Sequence, residues 1–348
     1  ASNNTGVGYR SLYTNTTGEQ NVAVGPLSLD ANSTGSYNTA LGYLTLSANT
    51  TAILGTAIGW GALQANTTGA QNTAIGANTL ANNTTGGSNV ALGRQALQLN
   101  TTASNNTGIG YNALTANTTA SNNTGIGYLA LNANTTGSLN TAVGAAALDA
   151  CTTGGENTAI GEGSLSTLTT GTGNSAFGRQ ALVSATTSSN NTGIGFKALH
   201  QNTTGAENVA IGVDALKDNT TANGNVAVGY KAIENNHDGS NLTAVGHNAL
   251  TTSGTGANNN TAIGAHAMEF STSAENCTAL GALALDANTT GGSNTALGRS
   301  CLSDNTTASN NTGVGYLALK ANTTGTQNTA IASGAGDSVT TGNGNTML

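Results

Sequence analysis

The residues that could carry chemistry in this 348-residue chain are few, and they do not converge. An enzyme needs a cluster of titratable groups around one reacting atom. The four histidines, His200, His237, His247 and His266, are scattered, and only His247 and His266 are spaced to reach neighbouring turns of a repeat. A metal site would require a third ligand, and the sequence offers no obvious one. The fifteen acids form no recurring pair. Cys151, Cys277 and Cys301 are odd in number and fall at unrelated places, so they read as substitutions, not as a disulfide framework. The alternating glycines of Gly59-Trp60-Gly61 precede no helix pattern, which argues against a phosphate loop. The expectation is a protein that is not an enzyme and that has no cofactor and no metal.

Two recurring side-chain sets remain. Eight of the twelve aromatics stand at one repeat position: Tyr9, Tyr43, Trp60, Tyr111, Tyr128, Phe196, Tyr230 and Tyr316. Such a stripe offers contact area with a polar handle, suited to glycans or to partner surfaces. Covering a turn or packing between chains is the favoured reading. Tyr43 with Trp60, and Tyr111 with Tyr128, are expected to stack on adjacent turns. The second set is an asparagine followed by Thr-Thr or Ser-Thr, at Asn15, Asn32, Asn49, Asn66, Asn83, Asn100, Asn117, Asn134, Asn202, Asn219, Asn288, Asn305 and Asn322. These triplets match the N-glycosylation acceptor pattern. Asparagine also suits tight turns, and stacked copies can bond to one another up a column. The ladder is the favoured reading.

Both sets are positioned by a repeat of 17 residues. A glycine recurs at 8, 25, 42, 59 and onward to 246, and after one extra residue the series resumes from 264 to 315. We number the repeat from its asparagine: position 1 is Asn, 2 Thr or Val, 3 Ala or Gly, 4 aliphatic, 5 Gly, 8 small, 9 Leu, and 12 to 15 Asn-Thr-Thr-Gly. Twenty copies run from Asn4 to Gly344. Position 9 is Leu in seventeen of them, and all 23 charged residues fall at positions 6, 7, 10, 11, 14, 16 and 17.

Seventeen residues are too few for a helical hairpin repeat. Short β-rich segments punctuated by Gly and Asn favour strands. The predicted fold is an all-β solenoid (β-roll) of about twenty 17-residue coils: a strand over positions 1 to 5, a turn, a strand over 8 to 11, and the Asn corner. The domain expectation is one continuous array over 1–348, with a bulged corner near 251–260. Because side chains alternate along a strand, positions 2 and 4 share one face and 1, 3 and 5 the other. Position 4 is expected to fill the interior with position 9. The Ala and Gly of positions 3 and 5 would then form a bare outer face. That face predicts packing against copies of the same chain, most simply as a homotrimer.

Charged residues make up 7% of the chain and the net charge is −7, with no basic stripe, so nucleic acid is a poor partner. No apolar run reaches the ~20 residues of a membrane-spanning helix. The chain opens without Met and stops within a further copy at Asn345-Thr346-Met347-Leu348, which reads as a piece of something longer. The Asp of calcium-binding nonapeptide rolls is missing from these strings, which argues against a calcium roll.

Asn21-Val22-Ala23-Val24-Gly25 and Asn208-Val209-Ala210-Ile211-Gly212 resemble the N-S-V-A-I-G motif of YadA-like trimeric autotransporter adhesin heads. The string Ala318-Leu319, Asn322-Thr323-Thr324-Gly325 and Asn328-Thr329-Ala330-Ile331 is similar to tail-fibre-type repeats that precede intramolecular chaperone domains. The resemblance implies a trimeric fibre segment that is extracellular, on a cell surface or on a virion appendage. It also implies self-assembly into a trimer or filament, with host-surface glycans or proteins as further partners. Two other readings stand beside it. An ice-binding solenoid would use the Thr columns at positions 2, 13 and 14, and a tailspike would bind or degrade glycans.

Overall fold

The computed structural model describes residues 1–348 as an all-β chain of 23 short strands without a helix. No helix is therefore long and apolar enough to cross a membrane. The chain forms two compact units, Ala1–Gly173 and Asn174–Leu348. Each unit is a parallel β-solenoid with one three-residue strand per coil.

In the first unit, β1 (Thr5–Val7) pairs with β2 (Val22–Val24), and the same 17-residue register carries on through β10 (Thr158–Ile160). In the second, β11 (Ser175–Phe177) begins an equivalent series, and β22 (Thr329–Ile331) pairs with β23 (Thr346–Met347). The extra residue appears there as one 18-residue step, Thr243 pairing with Thr261. It is absorbed at the corner, where β15 (Asn235–Asn236) pairs with β17 (Thr252–Ser253) in a small separate ladder.

The segment over positions 8 to 11 is not the second strand expected from sequence. Positions 6 to 11 form a continuous turn in nearly every coil. Positions 7 and 9 are left-handed, as at Leu27 (φ 57°) and Leu29 (φ 50°). Their amides still bond between coils: Leu27 donates to the Tyr9 carbonyl at 2.8 Å and Leu29 to that of Thr45 at 3.0 Å. A left-handed residue with a Cβ costs roughly 1–2 kcal/mol. Burying a leucine side chain completely returns about 1.5–3 kcal/mol, and the amide finds its partner besides. At position 9 burial therefore outweighs strain, even for the β-branched Ile233 (φ 51°).

The alternation of the strand is as expected, but its two faces are exchanged. Position 3 is buried completely, as at Ala23, Ala57, Ala91 and Ala142. Position 4 points outward: Val24, Leu41, Ile58, Leu92 and Ile160 retain 36–45% of their surface exposed. The cause lies across the coil. The leucine of position 9 already fills the thin interior, so the strand residue opposite must be small. A Cβ added at Gly108 would lie 3.2 Å from Cγ of Leu97. The aliphatic residues of position 4 therefore have no room inside.

Position 5 holds glycine because φ is near +130° and because coils touch there. A Cβ on Gly127 would lie 2.6 Å from the Gly144 carbonyl carbon, so any side chain would push the stack apart.

Candidate functional site: two internal ladders and an outward face

Six positions per coil face inward: 1, 3, 8, 9, 12 and 15. Two of them are asparagine, and both are wired.

The asparagines of position 12 form a continuous amide ladder. Asn32 Nδ2 donates to Asn15 Oδ1 at 2.8 Å and to the Gly35 carbonyl of its own coil at 2.9 Å. The chain of bonds continues through Asn49, Asn66, Asn83, Asn100, Asn117 and Asn134 at 2.7–3.3 Å. Cys151 and Leu168 stand in the ladder's place higher in the first unit. In the second unit Asn219 bonds Asn202 at 2.8 Å, Asn305 bonds Asn288 at 2.8 Å and Asn322 bonds Asn305 at 3.1 Å. Each Nδ2 reaches back to the preceding coil, so the acceptor of a run's last member meets no further asparagine; Asn236 Oδ1 takes the Gly239 amide instead, at 3.1 Å. Asn134 Oδ1 and Asn322 Oδ1 are the buried orphans this predicts.

This burial bears directly on the glycosylation pattern. Asn32, Asn49, Asn66, Asn83, Asn100, Asn117, Asn134, Asn202, Asn219, Asn288, Asn305 and Asn322 are 0–1% exposed, and Asn15, on the first coil, is half-buried. An amide nitrogen buried and hydrogen-bonded inside a coil is not an acceptor for an oligosaccharide in the folded chain.

Sequence reasoning missed two things here. Asn236 belongs to the ladder, bonding Asn219 at 2.8 Å, although Asp238 stands where the acceptor triplet needs Ser or Thr. The second is the whole position-1 column. Asn21 Oδ1 accepts the Asn38 backbone N–H at 2.9 Å, and Asn21 Nδ2 donates to the Gly35 carbonyl at 2.9 Å. The amide just ahead of the strand faces the preceding coil, where the asparagine side chain supplies its acceptor, whereas the strand's own first amide bonds a main-chain carbonyl, as Val22 does to Asn38 at 2.8 Å. Even Gly55 and Leu242, which break the column, still donate their amides to the asparagine below at 2.9 Å. The available signal is an asparagine recurring at the entry to nearly every strand.

The aromatic set lies outside, just past the position-5 glycine. All eight members are exposed, from 37% at Phe196 to 71% at Tyr9. Tyr111 and Tyr128 stack as expected, with centroids 5.7 Å apart and planes 11° from parallel. Tyr43 and Trp60 do not stack; on this column a shared position does not guarantee a shared rotamer. Arg94 caps the Tyr111 ring at 5.8 Å, and Lys197 and Arg179 lie over Phe196 at 5.2 and 5.8 Å. Tyr230 stacks on His247, which lies 5.2 Å from His266. Sugars dock on open ring faces, whereas Tyr111 spends one face on Arg94 and the other on Tyr128. Tyr9, Tyr43, Trp60 and Tyr316 have no such cover.

No three His, Cys, Asp or Glu side chains come together as a metal site would require. His266 Nδ1 meets Glu269 Oε2 at 2.9 Å, a half-buried pair within one turn. The three cysteines are free and buried. Burial pushes the Cys151 thiol up to about 11 and that of Cys301 to about 12, away from nucleophilic use. A shallow depression of about 350 Å³ beside Ser138, Leu139, Thr153 and Glu156 offers no nucleophile paired with a base.

What the structure leaves open is the strand face itself. Positions 2 and 4 present two parallel columns, hydroxyl-rich and aliphatic, one rung per coil. No charged residue occupies positions 1 to 5 in any coil. Neither a protein-family model nor a curated protein matches this sequence.

Proposed function

We propose that the chain is a structural segment of an extracellular fibre, as in a surface adhesin, a phage tail fibre or a filament subunit, and that copies of it cover the strand face. The observation that carries this reading is the outward aliphatic column. Ten rungs at ~4.8 Å, each about 10 Å wide, make a strip of roughly 480 Å² in one unit. That is at the upper end of what a monomeric surface leaves bare. Two such strips together reach about 1,000 Å², the size at which a specific interface becomes stable. The Ala and Gly face from which the sequence predicts self-association is internal, and the aliphatic face takes over the role. A homotrimer is the simplest closed assembly consistent with the resemblance to trimeric adhesin heads. Repetition then supplies length and stiffness. Attachment to host glycans or proteins would use the uncovered rings of the position-6 column.

Sedimentation equilibrium of the folded chain tests the reading, with a mass of three chains expected. Ile58→Asp with Ile109→Asp should lower it to one. A folded monomer at micromolar concentration removes the proposal.

One observation favours a second reading. Position 2 carries Thr in fifteen of twenty coils, exposed or half-exposed beside the aliphatic column. An uncharged Thr lattice at strand spacing is what an ice-binding face needs. A monomer that produced thermal hysteresis would select this reading over the fibre.

A further inference from the structure

His247 and His266 stand at positions 6 and 7 of the two coils joined by the 18-residue step. Their ring centroids are 5.2 Å apart and their planes are tilted by 55°. Stacked rings lie closer to parallel, as Tyr230 and His247 do at 24°. Two imidazoles sharing one tetrahedral zinc ion, with Zn–N of about 2.0–2.1 Å, hold their centroids about 5.2 Å apart. The pair therefore has the spacing of a chelate, and its tilt is compatible with one nitrogen of each ring facing a common point.

Both rings are supported. Tyr230 backs His247 with its centroid 5.2 Å away. His266 Nδ1 lies 2.9 Å from Glu269 Oε2, and Asn248 Nδ2 donates to Glu269 Oε1 at 3.3 Å, so the carboxylate is fixed at both oxygens. A carboxylate only accepts, so Nδ1 of His266 carries the hydrogen, and in the neutral ring Nε2 keeps its lone pair. Metal-binding histidines give their second nitrogen to a carboxylate in this way. Imidazole suits zinc, copper and nickel, whereas calcium and magnesium take oxygen ligands. Two protein ligands leave the other coordination positions to water, so the site is open.

The junction that the pair spans is also the one with the fewest internal ties. The coil over 242–259 alone among the twenty has neither ladder asparagine: Leu242 holds position 1 and Ser253 position 12. Leu242 offers no side-chain oxygen to the Asn260 amide. Ser253 Oγ is buried without a partner, as is Ser271 Oγ on the next coil. Both asparagine bonds are thus missing where the extra residue enters. A cation held by one imidazole from each coil bridges that gap from outside.

We propose that His247 and His266 chelate one zinc-class divalent cation and so clip the irregular coil to its successor, with Glu269 as a positioning residue. This goes beyond the fibre reading and does not depend on it.

Calorimetric titration of the folded full chain with zinc chloride tests the site. One ion per chain is expected, and His247→Gln and His266→Gln should each weaken binding at least tenfold. Glu269→Gln should weaken it about tenfold with the stoichiometry kept. His247 is exposed, so its replacement spares the fold, and His247→Gln alone decides should His266→Gln disturb the Glu269 pair. Hydrogen exchange reads the clip. Zinc should slow exchange at least tenfold at the Thr243 and Gly264 amides, which cross the junction to Asn260 and Val245 at 2.9 and 2.8 Å. Affinity that survives the double substitution overturns the site, because His200 or His237 would then hold the ion. No binding at millimolar zinc overturns it equally. Binding at the pair without slower exchange overturns the clip.

Discussion

The leucines of position 9 and the aliphatics of position 4 are equally apolar, equally regular and oppositely placed. Leu29, Leu46, Leu63 and Leu97 are sealed inside the coil, whereas Val24, Leu41, Ile58 and Leu92 stand outside it. Hydrophobicity alone does not separate them. The volume available does: a coil this thin accepts one large side chain, and the left-handed turn aims the position-9 leucine inward before the strand has any claim. The inner column holds the coil together, and the outer column stays at the surface.

The largest effect should come from breaking the inner column. Leu97→Ala removes a side chain that packs against Gly108 and its neighbours and leaves a cavity that a rigid stack cannot close. The expected cost is about 2–5 kcal/mol, read as a lowered denaturation midpoint. The equivalent truncation Ile109→Ala, measured in dissociated chains, should cost far less. Equal losses at the two sites would erase the distinction between the columns.

Next in size is the amide ladder. Asn83→Ala removes the donor to Asn66 Oδ1 and to the Gly86 carbonyl, together with the acceptor of Asn100 Nδ2. Buried polar groups left unpaired cost roughly 1–3 kcal/mol. Asn322→Ala should cost less, since its Oδ1 has no partner to lose. Equilibrium unfolding of the two variants gives the order directly, and a reversed order would count against the ladder.

The architecture is legible because every coil repeats the same solution. Glycine at position 5, small residues at 3 and 8 and charges confined to seven positions announce a solenoid with a fixed inside. Two things are not legible. The direction of the strand depends on the backbone of positions 7 to 9, where leucine adopts φ near +50°, a conformation its propensity disfavours. Reading Ala-Leu as the start of a strand leaves the interior short of side chains, and the position-4 aliphatics then seem needed to fill it. The asparagine columns are half legible. The position-12 asparagines are marked by their Thr-Thr neighbours, while those of position 1 read only as the start of a strand. A side chain that substitutes for a missing main-chain carbonyl has no compositional mark beyond its recurrence.

The ladder can also be strengthened. Cys151 interrupts it above Asn134, whose Oδ1 is buried and unpartnered. Cys151→Asn should donate to that oxygen and to the Gly154 carbonyl now met by the thiol at 3.4 Å. A gain of about 0.5–1.5 kcal/mol is expected, seen as a raised melting temperature. The native thiol reports on the same column. With its pKa raised to about 11 by burial, it stays protonated through pH 8–9 in the folded chain, and deprotonation above that range favours unfolding. Alkylation at pH 8 should therefore follow opening of the coil, at a small fraction of the rate in denaturant. Rapid labelling of Cys151 in the native chain would contradict its placement inside.

The smallest effect on the single chain should come from the outer column, and this makes it the sharper test of function. Ile58→Thr keeps a β-branched residue on a strand and exchanges an exposed aliphatic group for one that water solvates. A surface change of this kind falls within about ±0.5 kcal/mol. If copies cover the face, the same substitution places a second hydroxyl column on the buried side, and sedimentation at fixed concentration should show the assembly weakened while the melting curve of dissociated chains is unmoved. If both are unmoved, the aliphatic column has no occupant. An internal role for Ile58 would instead show as a loss of chain stability, which its exposure argues against. The two readouts separate because one column closes the coil and the other, in the proposed fibre, meets a second copy.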